Sequence, residues 1–135
     1  MLPRRRFHPE NQFSIGIPTN ISHAFAIGKM IFIGGQVDLS MEAAVTQPGD
    51  LSAQIRIVLK NIEKLLSGLG CDFSDLVKLT AFYVPGGPKD LDVLLEGIGV
   101  ELHNKTSLGP AIMVVPLEAL AFAGMKVEIE AIAIL

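Results

Sequence analysis

The sequence predicts an α+β fold of order ββ-α-β-α-ββ, a mixed sheet carrying two helices on one face. Three observations lead there. The stretch Met125–Leu135 alternates as a strand does, with Met125, Val127, Ile129, Ala131 and Ala133 on one face. Lys126, Glu128, Glu130, Ile132 and Ile134 fall on the other, which turns from charged to apolar along its length. A stripe of Ile55, Leu59, Ile62, Leu66 and Leu69, widened by Val58 and Leu65, repeats at helical spacing. Finally, Ser22–Ile27 and Met30–Ile33 flank Gly28-Lys29, the signature of a hairpin with a two-residue turn.

After that hairpin, Gly34-Gly35-Gln36 ends or bends the second strand. Adjacent glycines favour a bulge, or a backbone that a ligand can approach closely. Asp50 is the natural N-cap of the first helix, behind Pro48-Gly49, and Gly68 or Gly70 stops it. Roughly 18 residues give it a length of about 27 Å. Leu76–Val84 is rich in β-formers, with Val77, Leu79, Ala81 and Tyr83 on one face, and Pro85-Gly86-Gly87-Pro88 ends it. A second helix spans about Lys89 to His103, with Leu91, Leu94, Leu95, Ile98 and Leu102 inward. Its Gly97 and Gly99 weaken it and allow a neighbour to come close. Ala111–Val115 and the C-terminal strand complete the sheet. Both helices are long enough for right-handed crossovers between parallel strands.

The chain of 135 residues fits a single domain over 15–135 behind an N-terminal extension, 1–14. Hydrophobic residues make up 50%, charged residues 19%, and mean hydropathy is +0.47. No apolar run is long enough to span a membrane. The strands are apolar on both sides, so the sheet face away from the helices needs a cover, and further copies of the chain are expected to supply it. A net charge of −3 argues against nucleic acid. Arg4-Arg-Arg6 has no apolar segment behind it, so it reads as a solvated tail and not as a signal peptide. A cytoplasmic location is expected.

The single cysteine, Cys71, excludes an internal disulfide and reads as a buried thiol. His8, His23 and His103 lie apart, without metal-ligand spacing, so no metal is expected. No phosphate loop, dinucleotide fingerprint or G-x-S-x-G element is present. Glu128 and Glu130 remain as acid or base candidates. They are either strand-end carboxylates in solvent, or one of them stands against an apolar wall with a raised pKa suited to proton transfer.

Several of these elements together resemble a known family. Gly28-x-Met-Ile-Phe-Ile-x-Gly35-Gln36, Gln54 with Asn61-Ile62, Leu76-Val77-Lys78, Gly109-Pro110-Ala111 and Val127-Glu-Ile-Glu-Ala-Ile-Ala133 are similar to the RidA/YjgF proteins, also labelled endoribonuclease L-PSP. The resemblance covers nearly everything after about residue 15. It implies a chorismate-mutase-like fold, a homotrimer with small-molecule clefts between subunits, and cofactor-free hydrolysis of enamines and imines. Glu128 matches the family's acidic residue. Ile112 stands where deaminating members carry the arginine that grips the substrate carboxylate, and Met113 where a small polar residue is common. Ile21 falls near the family's tyrosine, Gly34 takes the place of the serine before Gly-Gln, and Leu95 falls near an asparagine.

The resemblance thus implies Glu128 as the catalytic group and Ile21, Gly34, Gly35, Leu95, Ile112 and Met113 as ligand-binding residues. Without the arginine, standard 2-imino acid deamination is not expected, and an uncharged ligand fits better. Two classes stay open: a hydrolase in which Glu128 positions water, and a non-catalytic trimer that binds a small apolar metabolite. A ribonuclease is a weaker third.

Overall fold

The computed structural model describes residues 2–135; Met1, the first residue of the expected extension, lies outside them. One six-stranded sheet has the order β1-β2-β3-β6-β4-β5. Its strands are β1 (Arg4–Phe7), β2 (Ala24–Ile27), β3 (Met30–Gln36), β4 (Leu76–Tyr83), β5 (Ala111–Pro116) and β6 (Val127–Ile134). Helices α1 (Leu51–Gly68) and α2 (Asp90–Leu102) form the crossovers β3–α1–β4 and β4–α2–β5. The expected α+β architecture is present, with one addition: Arg4–Phe7 is not a solvated tail. It pairs antiparallel with β2, Arg6 opposite Phe25 and Phe7 opposite Ala24. Phe7 packs against Gly68 of α1, where a Cβ would collide with its ring. The aromatic residue behind three arginines is what anchors the strand.

Gly28, at φ +58°, makes the two-residue turn between β2 and β3. The β3–β6 register shifts between Ile33 and Gln36, so Gly34-Gly35 is a bulge. In α1 the Asp50 carboxylate accepts the Ala53 N–H at 3.0 Å. The helix ends in a Schellman motif: Gly70, at φ +80°, donates to Ser67 O, and Cys71 N–H donates to Leu66 O. Ile55, Val58, Leu59, Ile62, Leu65 and Leu66 are fully buried against Ile31, Ile33, Leu79, Ile129 and Ala133. This layer between α1 and the sheet is the main core.

Two face assignments need correction. On α2 only Leu94 and Ile98 are buried; Leu91 and Leu95 are exposed. The helix rests on α1 and its other faces are largely exposed, so its buried stripe is narrow. At Gly97 it approaches α1 closely, a Cβ there standing 3.1 Å from Ile55 Cγ2. Val77 is also exposed, because the β4–β6 register shifts between Leu76 and Lys78. Pairing settles the other face of the sheet. Phe25 lies opposite Phe32, and Phe32 opposite Ile132. Met30 lies opposite Ile134, and Phe82 opposite Glu128 and Val115. Met30, Phe32, Met113 and Ile134 are exposed there.

Candidate functional site

A cavity of about 760 Å³ lies where the segment 8–23 folds over the bulge of β3 and the start of β6. A second, smaller core holds this end together: Val37, Leu39 and Met125 are buried, with Phe13, Ile15 and Phe122 packed on them. These same side chains form the apolar walls of the cavity, joined by Ile17, Ile21 and Met41. Glu128, Gly34, Gly35 and Gln36 supply its polar floor.

Glu128 belongs to the outward face of β6 and is half-buried. The bulge makes room for it. A Cβ on Gly35 would collide with the Glu128 carboxylate oxygen and stand 2.9 Å from its Cδ. Gly34 has only ordinary neighbours, the nearest being His23 O at 3.6 Å. Burial pushes the Glu128 pKa above the ordinary carboxylate value, and repulsion from Glu130 adds to the shift. The carboxyl group makes no hydrogen bond among the described residues. Glu130, two positions on, is exposed and outside the cavity.

Beside Glu128 runs a directed chain of hydrogen bonds. His23 Nε2 lies 3.1 Å from Phe13 O, which can only accept, so Nε2 carries the proton. Nδ1 then accepts from Gln36 Nε2 at 3.4 Å, and Gln36 Nε2 also donates to Gly34 O at 3.0 Å. Gln36 Oε1 in turn accepts from Gln12 Nε2 at 2.8 Å. The ring of His8 stacks on His23 at 4.7 Å, and Phe13 meets it edge-on at 4.5 Å. Burial lowers the His23 pKa, His8 and Lys64 lower it further, and the bond to Phe13 O partly opposes this. Neutral His23 suits the chain, since a proton on Nδ1 would face the Gln36 amide donor.

Of the residues expected at the site, Ile21, Gly34, Gly35 and Glu128 share this cavity. Leu95, Ile112 and Met113 do not line it; they lie on α2 and β5 and are 42%, 44% and 49% exposed. Ile112 pairs with Leu79 on the helix side of the sheet edge, whereas Met113 pairs with Thr80 on the open side. Arg6, His8, Gln12 and His23 also line the cavity, and sequence reasoning did not place them there. The one legible signal was His23 at the mouth of a strand followed by the glycine bulge. Arg6 sits at the rim, its guanidinium donating to Asn20 Oδ1 and Ile21 O. Strands β1 and β6 are three strand spacings apart, about 14 Å.

The remaining motif residues brace the site. Gln54 is fully buried, donates to Gln47 O and Gly124 O, and accepts Lys126 N–H at 2.7 Å. Asn61 donates to Val37 O at 3.2 Å. Cys71 is buried away from the cavity, and burial, then Asp75 and Asp72, push its thiol pKa up. Among the described residues no group of three His, Cys, Asp or Glu side chains is placed to hold a metal ion.

The profile of the family described as Endoribonuclease L-PSP matches residues 14–135. The chain is 36% identical over 107 residues to Protein DfrA of Myxococcus xanthus, covering 79% of this chain and 77% of that protein. It is 32% identical over 115 residues to the mouse 2-iminobutanoate/2-iminopropanoate deaminase, covering 84% of this chain and 79% of that one. Among solved structures, the YjgF gene product of Escherichia coli superposes with a TM-score of 0.81 at 25% identity, over 96% of this chain and 98% of that one. The Rid-family protein YyfA of Yersinia pestis superposes with a TM-score of 0.84 at 24% identity, over 98% and 100%, a likeness of fold. The chain belongs to the endoribonuclease L-PSP family, the RidA/YjgF proteins.

Proposed function

We propose that this chain forms a cytoplasmic homotrimer whose clefts between subunits hydrolyse a small, uncharged imine- or enamine-like metabolite without a cofactor. The observation that carries the reading is Glu128: half-buried in an apolar-walled cavity, unpaired among the described residues, and with its pKa raised by burial. A carboxyl group of that kind can donate a proton to an imine nitrogen and take one from water near neutral pH. Water oxygen would bond to the imine carbon while the C=N electron pair moves to nitrogen, which takes up a proton. Collapse of the adduct then forms the carbonyl and expels the amine. The likeness to the mouse deaminase supports this reaction class.

Two features support the trimer. On the open face of the sheet Met30, Phe32, Met113 and Ile134 stand exposed. Leu95, Ile112 and Met113 lie away from the cavity and can reach one only on another copy. Among the described residues no helix is long and apolar enough to cross a membrane, and the free Cys71 suits a reducing compartment.

The ligand is uncharged because Ile112 offers no donor to a carboxylate, while Glu128 and Glu130 keep acidic groups on the same strand. Arg6 is at the far rim, with two of its donors already engaged. Ammonia release from 2-iminopropanoate and from its amide, each generated in situ, tests the reading. The amide should be hydrolysed faster, because only the carboxylate is left with a charge that finds no donor. Glu128→Gln should slow it by about 100-fold or more. A wild type that prefers the carboxylate contradicts the uncharged substrate. Neutral ligands that bind but are not turned over would establish the non-catalytic reading instead.

A further inference from the structure

We infer that Gln12 reads an N–H group of the ligand, and that the substrate is therefore a neutral nitrogen compound bound through its own N–H. The inference rests on the cavity reading above and adds a second contact point to it. Gln12 lines the cavity, is 4% exposed, and its Oε1 is a buried side-chain oxygen with no hydrogen-bond partner. Such an atom, cut off from both protein donors and bulk water, is costly.

The orientation of the Gln12 amide is fixed by its neighbours. Gly34 O and Phe13 O can only accept, so Gln36 must turn its NH2 toward Gly34 O and His23 must be protonated at Nε2. That leaves Gln36 Oε1 facing Gln12, which must answer with its own NH2. The run then ends on a bare acceptor at Gln12 Oε1. A flipped Gln12 would set two amide oxygens against each other, so the orphan atom is an acceptor by necessity.

The chemistry of the missing partner follows. It is a donor, and it is small enough to enter the cavity. It is neutral on the cavity reading above, and the run that ends at Gln12 holds no full charge to pair with an ion. Gln36 is joined to Glu128 through the bulge, since Gly35 is the residue on which the Glu128 carboxylate rests. A ligand whose N–H meets Gln12 is thus held on the same polar floor as the catalytic candidate. An imine N–H, a primary amide or a lactam meets these demands; a carboxylate and an N-alkylated analogue do not. The competing occupant is a single ordered water, which would make Gln12 purely structural.

A matched pair of lactams decides between them: 2-pyrrolidinone and N-methyl-2-pyrrolidinone, titrated by calorimetry into the intact wild-type protein and Gln12→Met. The wild type should bind the N–H lactam about tenfold more tightly, and Gln12→Met should bring the ratio close to one. In the wild type the Gln12 side-chain amide resonances should also move with the N–H lactam and not with its N-methyl partner. This reads the contact even where the variant folds poorly. Equal binding of both lactams, or a preference that survives in Gln12→Met, overturns the subsite and leaves the cavity reading standing. Failure of both lactams to bind the wild type at millimolar concentration overturns both.

Discussion

The two sides of strand β6 make unlike use of one alternating sequence. Toward the helices, Val127, Ile129, Ala131 and Ala133 sit in the main core and are at most 3% exposed. Away from them, Glu128 and Ile132 are half-buried, and Glu130 and Ile134 are exposed. The first side is complete within one chain. The second side is complete only if something else supplies the rest of its surroundings. A side chain on the first face is therefore answerable for stability, and one on the second, under the proposed function, for assembly and chemistry.

The largest separation between the faces should come from Ile129→Ala and Ile132→Lys. Ile129→Ala opens a cavity in the closed core and should cost about 2–5 kcal/mol in denaturant unfolding. Ile132→Lys places a charge on the open face. It should leave the circular dichroism spectrum intact and convert a sedimenting trimer to monomer. A monomeric wild type at micromolar concentration would end the assembly side of the comparison.

Next comes the pair of glycines in the bulge. Gly35→Ala drives the Glu128 carboxylate from its place and should reduce imine hydrolysis by about 100-fold, as displacements of about 1 Å can. Gly34→Ala meets only ordinary contacts and should stay far closer to wild type. Equal effects would show that the Glu128 position does not govern turnover.

Much of this was open to sequence reasoning. Period-two alternation gave the two sides of β6, the Asp50 cap and Gly70 gave the ends of α1, and Gly34-Gly35 gave the bulge. Strand β1 was hidden because its reason for existing, Phe7 against Gly68, is a contact across 61 positions of chain, which no local pattern announces. Leu91 and Leu95 misled because helical spacing reveals an apolar stripe but not how wide a neighbour is available to cover it. The hydrogen-bonded run through His23, Gln36 and Gln12 was invisible for the same reason as β1: segment 8–23 folds back on the bulge, and single polar residues carry no periodicity.

Smaller effects should follow on the stability side. Gly68→Ala should displace Phe7, loosen β1 and cost about 1–3 kcal/mol, typical of overpacking. Hydrogen exchange confined to β1 and its partner β2 would register it. His23 has a folded pKa below its ordinary 6.5. Its stabilising contribution is therefore full above pH 6.5 and is lost as pH falls from there through the lowered folded value. The thermal midpoint of the wild type should decline over that window, and that of His23→Gln should decline less. Identical pH profiles would mean that His23 does not titrate as its burial requires.

The most direct test of the account is the titration of Glu128 itself, followed by the NMR shift of its carboxyl carbon and assigned by comparison with Glu128→Gln. Burial in an apolar cavity beside Glu130 requires a pKa clearly above the ordinary glutamate value of 4.5. The upward shift should shrink when Glu130→Gln removes the neighbouring charge. A Glu128 that titrates at or below 4.5 would mean a solvated or cation-paired carboxylate, and it would contradict both the proton-transfer role and the uncharged ligand.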